Sequence, residues 1–469
     1  MNNLVNCPKI RMALSPAFLL LLCCSALLPI PRQLRAGETA NRPRQKPVVS
    51  LSLRQFVDAV VAESPKILGS RLDEAAADDE ARSAYASYLP HLTAEARVGY
   101  INGERLTGFA LQEPGPGVVA SQVIPNRSFT QVGPVLTIPV FKDGSFLGIN
   151  IPPEVTRKRA ERQVVKFRGS LTKHDLVFSA TQAYLDAIKA THLLELRDEH
   201  LKVARKEAAR VEERATKNLA TAEELGVARL LVLTSRAAFE AERWDVIYSF
   251  LAVADLLGLD ASKVRIEQSY PTPAPLPNFE TFASLSSIEH PRVRLQEAIV
   301  DGAKAGVALR RSRQYPSLNA ESFDYQYGDF HGHATNEWVS VMTASVPIFD
   351  FGEAASATRA ATLTARAEKQ RLLAVQQDVR KELLDALVQV RQSESASAKA
   401  AGDVAEQQRI ATRLQEQAKT DQAVLADLYT AELKLLDSKE VFEQAQYDVF
   451  FQYAHVQKVS AGEWQWIKR

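Results

Sequence analysis

The sequence predicts a mainly helical protein with a smaller β component, on three observations. Two stretches, Glu154 to Lys217 and Glu353 to Lys419, carry no proline and a single glycine each, Gly169 and Gly402. Each is about 65 residues, which as helix is about 100 Å. Second, the apolar period falls to two in a few short segments, the mark of a half-buried strand. Third, the same succession of signals occurs twice, which identifies one structural unit used two times.

The doubling is read from aligned residues. Ser64-Pro65 leads to Pro90-His-Leu-Thr-Ala94-Glu95, and His290-Pro291 leads to Pro316-Ser-Leu-Asn-Ala320-Glu321, with 25 residues from proline to proline in both. Ile138-Pro139-Val140-Phe141 through Gly144 matches Val346-Pro347-Ile348-Phe349 through Gly352. Glu224-Leu225, Phe239-Glu240 and Trp244-Asp245-Val246 match Asp427-Leu428, Phe442-Glu443 and Tyr447-Asp448-Val449.

Composition narrows the class. Aromatic residues are 7% of the chain, while 57 basic residues nearly balance 56 acidic ones. A net charge of +1 gives no reason to expect nucleic acid as a partner. The first 36 residues read as a secretory signal: Lys9 and Arg11, then an apolar run around Phe18 to Cys24, then Leu34-Arg35-Ala36 before Gly37. Prolines at 16, 29 and 31 interrupt the run, which argues against a retained anchor. Removing it takes Lys9, Arg11, Arg32 and Arg35 with no acidic residue, so the charge passes from +1 to −3. It also removes Cys7, Cys23 and Cys24, leaving no cysteine and no disulfide. Lipidation of Cys23 is the alternative, disfavoured by the bulky Leu22 before it.

Residues 37–50, rich in proline and arginine, read as a flexible tail. The first unit then spans 51–257. Helix runs from Leu51 to Tyr88, broken at Pro65, and stops at Leu89 because the residue before a proline leaves the α region. From His91, Leu92, Ala94, Ala96, Val98 and Tyr100 alternate with Thr93, Glu95, Arg97 and Gly99, giving one apolar and one polar strand face. A return strand over about 127–140 completes a hairpin at about 91–140. Pro134 inside it implies a bulge or a later start. A long helix over 154–217 and a return helix over 221–257 follow. Residues 258–280, with Pro271, Pro273, Pro275 and Pro277, form the link between units. The second unit, 281–462, repeats the order: hairpin at about 317–347, long helix at 353–419, return helix at 424–459, then a tail at 463–469. Aromatic residues Phe323, Tyr325, Tyr327, Phe330 and Trp338 gather at the second hairpin. The first unit has additional residues between Asp143 and Pro153.

In these paired strand starts and exits, and in this order of elements, the chain resembles the TolC-like outer-membrane efflux family over residues 50–462. The resemblance implies a homotrimer. Each copy would give four strands to a 12-stranded β-barrel in the outer membrane, continued by a long α-helical barrel in the periplasm. Four strands alone leave open edges that lipid does not tolerate, so closure by other copies is also a physical requirement. Leu92, Ala94 and Ala96 would meet outer-membrane lipid, and Thr93, Glu95 and Arg97 would line a wet lumen. The competing reading of the alternation is a soluble β-sandwich hairpin.

The resemblance further implies a turn at the periplasmic tip of each helix pair. Its glycine is replaced here by Asn218 and Asp421, residues that tolerate the left-handed conformation best after glycine. Thr221 to Glu224 reads as a capping box, and Val424 to Asp427 lacks the hydroxyl. The family's acidic constriction maps onto Asp427, with Glu224 as its first-unit counterpart. A ring of Asp427 carboxylates would attract cations. The alternative role for both is to favour a helix N-terminus, and the two are compatible. Partners implied are a periplasmic adaptor, docking near Asn218, Glu223, Glu224, Asp421 and Asp427, and an inner-membrane pump.

No phosphate loop, dinucleotide fingerprint or nucleophile elbow is present, so no enzyme activity, cofactor or metal is expected. His331 and His333 lie in a loop with no cysteine nearby, and His192 and His200 are expected on one helix face. A pore-less periplasmic coiled-coil adaptor is the competing function.

Overall fold

The computed structural model describes residues 49–101, 105–106, 123–124, 127–260, 264–276, 290–329, 334–419 and 425–461. The leader cysteines, the 37–48 segment, most of the first hairpin loop, His331, His333, Asp421 and the 463–469 tail lie outside them.

The first two helices of the described residues are α1 (Leu53–Glu63) and α2 (Pro65–Ala86). Ser52 starts α1 through a reciprocal capping box with Gln55, and Pro65 sits at the first position of α2, where its missing N–H costs nothing. Then come β2 (His91–Ile101) and β5 (Arg127–Lys142), with the short pair β3 (Arg105–Leu106) and β4 (Val123–Ile124) between them. The two-residue strand β6 (Ser145–Phe146) folds back on β5. Helices α3 (Pro153–Thr216) and α4 (Ala222–Leu257) follow. The second half holds α5 (Pro291–Ser312), β8 (Ser317–Asp329), β9 (Ala334–Ser345), α6 (Glu353–Ala418) and α7 (Leu425–Val459).

Two short strands were not legible in the sequence. β1 (Val49–Leu51) pairs in parallel with β7 (Val264–Ile266). The end of the 37–50 segment and part of the 258–280 link are therefore strand. Tyr184 on α3 holds them down: its hydroxyl donates to the Leu51 carbonyl at 2.9 Å and lies 3.3 Å from that of Glu267.

Strands β2, β5, β8 and β9 form one antiparallel sheet in that order. The pairing between the halves, β5 with β8, runs from Phe129↔Asp329 to Phe141↔Leu318. Pro134 neither bulges nor delays β5; it sits opposite Ala94 on β2. Toward β8 the pairs step from Val132↔Gln326 to Val135↔Phe323 in unbroken register. The register shift falls instead between Pro139 and Phe141.

The core lies where the helices cross, not in the sheet. Phe56 and Val60 of α1, Tyr184, Leu185 and Ile188 of α3, Val253 of α4, Val293 of α5, Leu383 and Val390 of α6 and Val456 of α7 are all buried in one cluster. Phe56 and Tyr184 rings meet at 5.7 Å, and Phe178 meets Phe451 edge-on at 5.5 Å. His290 buries itself at the start of α5. Its Nδ1 accepts from the Arg292 N–H at 3.1 Å and its Nε2–H reaches the Val459 carbonyl at 2.9 Å. Burial holds this imidazole neutral, with its pKa lowered.

His192 and His200 have different surroundings. His192 lies 3.1 Å from a Glu443 oxygen and 2.8 Å from the Gln268 carbonyl. His200 lies 3.2 Å from Ser235 Oγ.

Candidate functional site

The helical tip is built by a precise chain reversal. At the end of α3, Leu219 N–H bonds the Arg214 carbonyl at 2.8 Å and Asn218 N–H bonds that of Ala215 at 3.0 Å. With Asn218 at φ 57°, these are the two bonds of a Schellman ending. The helix then restarts. Thr221 Oγ1 accepts from the Glu224 N–H at 3.1 Å, and Glu224 returns to accept from the Thr221 N–H at 3.0 Å. Arg214 clamps the turn from outside by donating to the Leu219 carbonyl at 2.8 Å.

Glu224 is thus bound into the backbone, whereas Glu223 beside it is exposed and takes no part in the cap. A groove of about 630 Å³ opens here. Glu207, Arg210, Arg214, Glu223 and Glu224 line one side, and Ala426, Tyr429, Thr430 and Leu433 of α7 line the other. The structure therefore brings the first-half tip together with the start of α7. Asp427 is exposed in the first turn of α7 and does not line the groove. Arg210 and Tyr429 were not singled out from sequence, because only the packing of α7 on α3 carries them to Glu223.

The strand residues are placed by register. Leu92, Ala94 and Ala96 share a face with Leu136, Pro134 and Val132. Leu92 is 66% exposed. Thr93 and Glu95 lie on the other face, where Thr93 Oγ1 reaches the Val135 carbonyl at 3.5 Å. Arg97 sits opposite Gln131 on that face. The face does not stay polar across the sheet. Thr93 continues through Val135 to Phe323 and Val339.

At the junction of strand and helix, β5 ends in Asp143 (φ 53°) and Gly144 (φ 80°), the left-handed pair of a tight hairpin turn. The Tyr88 hydroxyl donates to Asp143 at 2.8 Å, and burial together with that carboxylate pushes its pKa well up. The second-half counterpart is different. Asp350 accepts from the Gly352 N–H at 3.0 Å and the Ala354 N–H at 2.8 Å, and α6 starts at once.

Among the described residues no helix is long and apolar enough to cross a membrane, and no cluster of His, Cys, Asp or Glu could hold a metal.

Each pair of sheet strands is followed by a helix of 64 or 66 residues, about 100 Å long, and a return helix of 36 or 35 residues. Residues 283–456 match the family model described as outer membrane efflux protein, and the likeness in fold to solved structures extends across most of the chain. No curated protein matches it by sequence. Among solved structures it is similar to a membrane protein from Pseudomonas aeruginosa, at 19% identity and TM-score 0.71, over 89% of this chain and 92% of that one. It is also similar to the CmeC outer membrane channel of Campylobacter jejuni, at 16% identity and TM-score 0.70, over 88% and 86%. The open-state MtrE outer membrane channel of Neisseria gonorrhoeae follows at 16% identity and TM-score 0.65, over 87% and 89%.

Proposed function

We propose that the chain is the outer-membrane exit duct of a tripartite efflux or type I secretion system, acting as a homotrimer. The observation that carries the reading is an unfinished surface. The four-strand sheet ends in open edges at β2 and β9. On α4, Val227, Leu230, Leu233, Trp244, Tyr248 and Leu251 are all more than half exposed. Their spacing keeps them on one side of the helix, and α4 packs almost solely against α3. Both features ask for a neighbouring copy. Three copies would close 12 strands and enclose a path through which cargo passes without chemistry by this chain.

In this assembly the Asp427 carboxylates ring the periplasmic mouth and set its cation preference. The tip groove, with Glu223 at its rim, receives the adaptor that couples the duct to an inner-membrane pump. Glu224 serves the fold there, through its cap.

Electron microscopy of the detergent-extracted mature protein tests the duct. Threefold end views and hollow cylinders support it. Solid rods or compact monomers would replace it with the pore-less adaptor reading. For the ring, Asp427→Ala is expected to raise closed-state conductance and weaken cation preference. Unchanged values remove the ring. Glu223→Lys is expected to weaken adaptor capture with the trimer intact.

A further inference from the structure

Of the features that the duct does not use, the first-half junction carries the most. A cavity of about 540 Å³ lies where β5 and the ends of α2 and α5 meet the start of α3. Four cations line it, Lys142, Arg157, Arg310 and Arg313, against two carboxylates, Asp143 and Glu154. Arg157 is paired with Glu154 and Glu161; none of the other three has a carboxylate partner among the described residues. Lys142 reaches only the Ser87 carbonyl at 3.4 Å and the face of the Tyr88 ring at 4.8 Å. The two carboxylates of the lining are already engaged. Glu154 is held bidentately by Arg157 at 2.6 and 3.0 Å, and Asp143 accepts from Tyr88 and, at 3.4 Å, from Ser312. The cavity therefore keeps a positive surplus, and a concave basic site concentrates anions.

A second observation gives the anion its other half. The Leu147–Ile151 loop belongs to the stretch that has no counterpart in the second half. It packs on the same Tyr88: a Cβ added at Gly148 would sit 3.5 Å from the Tyr88 carbonyl and 3.7 Å from its Cβ. Its apolar side chains turn away from the protein, with Ile149 75% and Ile151 60% exposed. Nothing in the fold rewards two bare isoleucines on a loop. Acyl chains beside a basic headgroup site would.

We propose that this junction is a binding site for an anionic phospholipid. The headgroup phosphate sits among Lys142, Arg310 and Arg313, and the acyl chains run along Ile149 and Ile151. The inference rests on the duct reading, which puts the strands in the outer membrane and the helices in the periplasm. The cavity then lies level with the inner-leaflet headgroups. Only the first half carries the site, so a trimer holds three.

Native mass spectrometry of the full-length trimer in neutral detergent tests it, with dioleoyl phosphatidylglycerol, dioleoyl phosphatidylcholine and inorganic phosphate as probes. The expected result is retention of up to three phosphatidylglycerol molecules in preference to phosphatidylcholine. Arg310→Gln with Arg313→Gln is expected to weaken that retention about ten-fold. Ile149→Ser with Ile151→Ser is expected to weaken it too. All four side chains lie at the surface, so the variants keep the fold. Equal retention by wild type and the arginine variant overturns the proposal. So does displacement of the lipid by millimolar phosphate with the isoleucine variant unaffected, which would make this a free-anion site. A normal threefold trimer with no lipid preference sinks the site and spares the duct, whereas a monomer sinks the duct.

Discussion

At the end of β5, Pro139 is buried and Gly144 lies against the Tyr315 ring, 3.3 Å from where a Cβ would stand. At the end of β9 the counterpart of Pro139, Pro347, is exposed; beside it Ile348 is 94%, Phe349 76% and Phe351 93% exposed, and nothing lies near Gly352. Two stretches of nearly the same sequence thus have opposite surroundings. The first exit docks on the helix end of the second half. The second exit has no third half to dock on. Its aromatic side chains stay exposed. In a closed ring each second exit would meet the first half of the next copy.

Breaking the second exit should have the largest effect. Ile348→Asp with Phe351→Asp is expected to leave the helices folded by circular dichroism but to weaken assembly by about 3 kcal/mol, the loss of two buried apolar side chains. A trimer that survives dilution as the wild type does would show that the bare exit serves something else.

The glycines sharpen the contrast. Gly144→Ala meets both the positive φ and the Tyr315 ring and should cost about 2 kcal/mol. Gly352→Ala, with φ 85° but open space around it, should cost about 1 kcal/mol. Thermal unfolding of the two variants compares them directly, and equal losses would mean that Tyr315 simply moves aside.

The tips differ as the exits do. Thr221→Ala removes one side of the first-half cap and should cost about 1 kcal/mol, seen as faster hydrogen exchange at the Glu223 and Glu224 amides. Exchange at the start of α7 should not change.

The smallest effect separates two histidines eight positions apart on α3. The hydrogen bond that His192 donates to the Glu443 carboxylate raises the His192 pKa in the folded protein. Its contribution is full below the unfolded value and is lost as pH rises through the folded one. Burial lowers the His200 pKa, so its contribution is present above the unfolded value and fades as pH falls through the folded one. His192→Gln should therefore make the protein lose more stability on acidification than the wild type, and His200→Gln less. Melting temperatures on either side of neutrality give the signs, and identical slopes would show that neither ring titrates as its contacts imply.

The mainly helical class, with a minor strand component, was determined locally. Proline-free stretches make helices because nothing interrupts their backbone bonds. Prolines at 65 and 291 start helices because their missing N–H falls where no bond is made. The Thr221–Glu224 cap and the left-handed Asn218 are short-range devices too, readable from four or five adjacent residues. Tertiary structure decided what depends on distant partners. The parallel pairing of β1 with β7 joins residues more than 200 positions apart, through a tyrosine hydroxyl that no local pattern announces. Pro134 looked incompatible with a continuous strand, but one strand has two sides for hydrogen bonding, and only the neighbours reveal which side a missing N–H can occupy. The polar face inferred from Thr93, Glu95 and Arg97 gives way to Phe323 and Val339 two and three strands on, because period two describes one strand and a face belongs to the whole sheet. Asp427 and Glu224, matched in sequence, differ in space: one is exposed in the first turn of α7, and the other is held in the helix cap with Thr221.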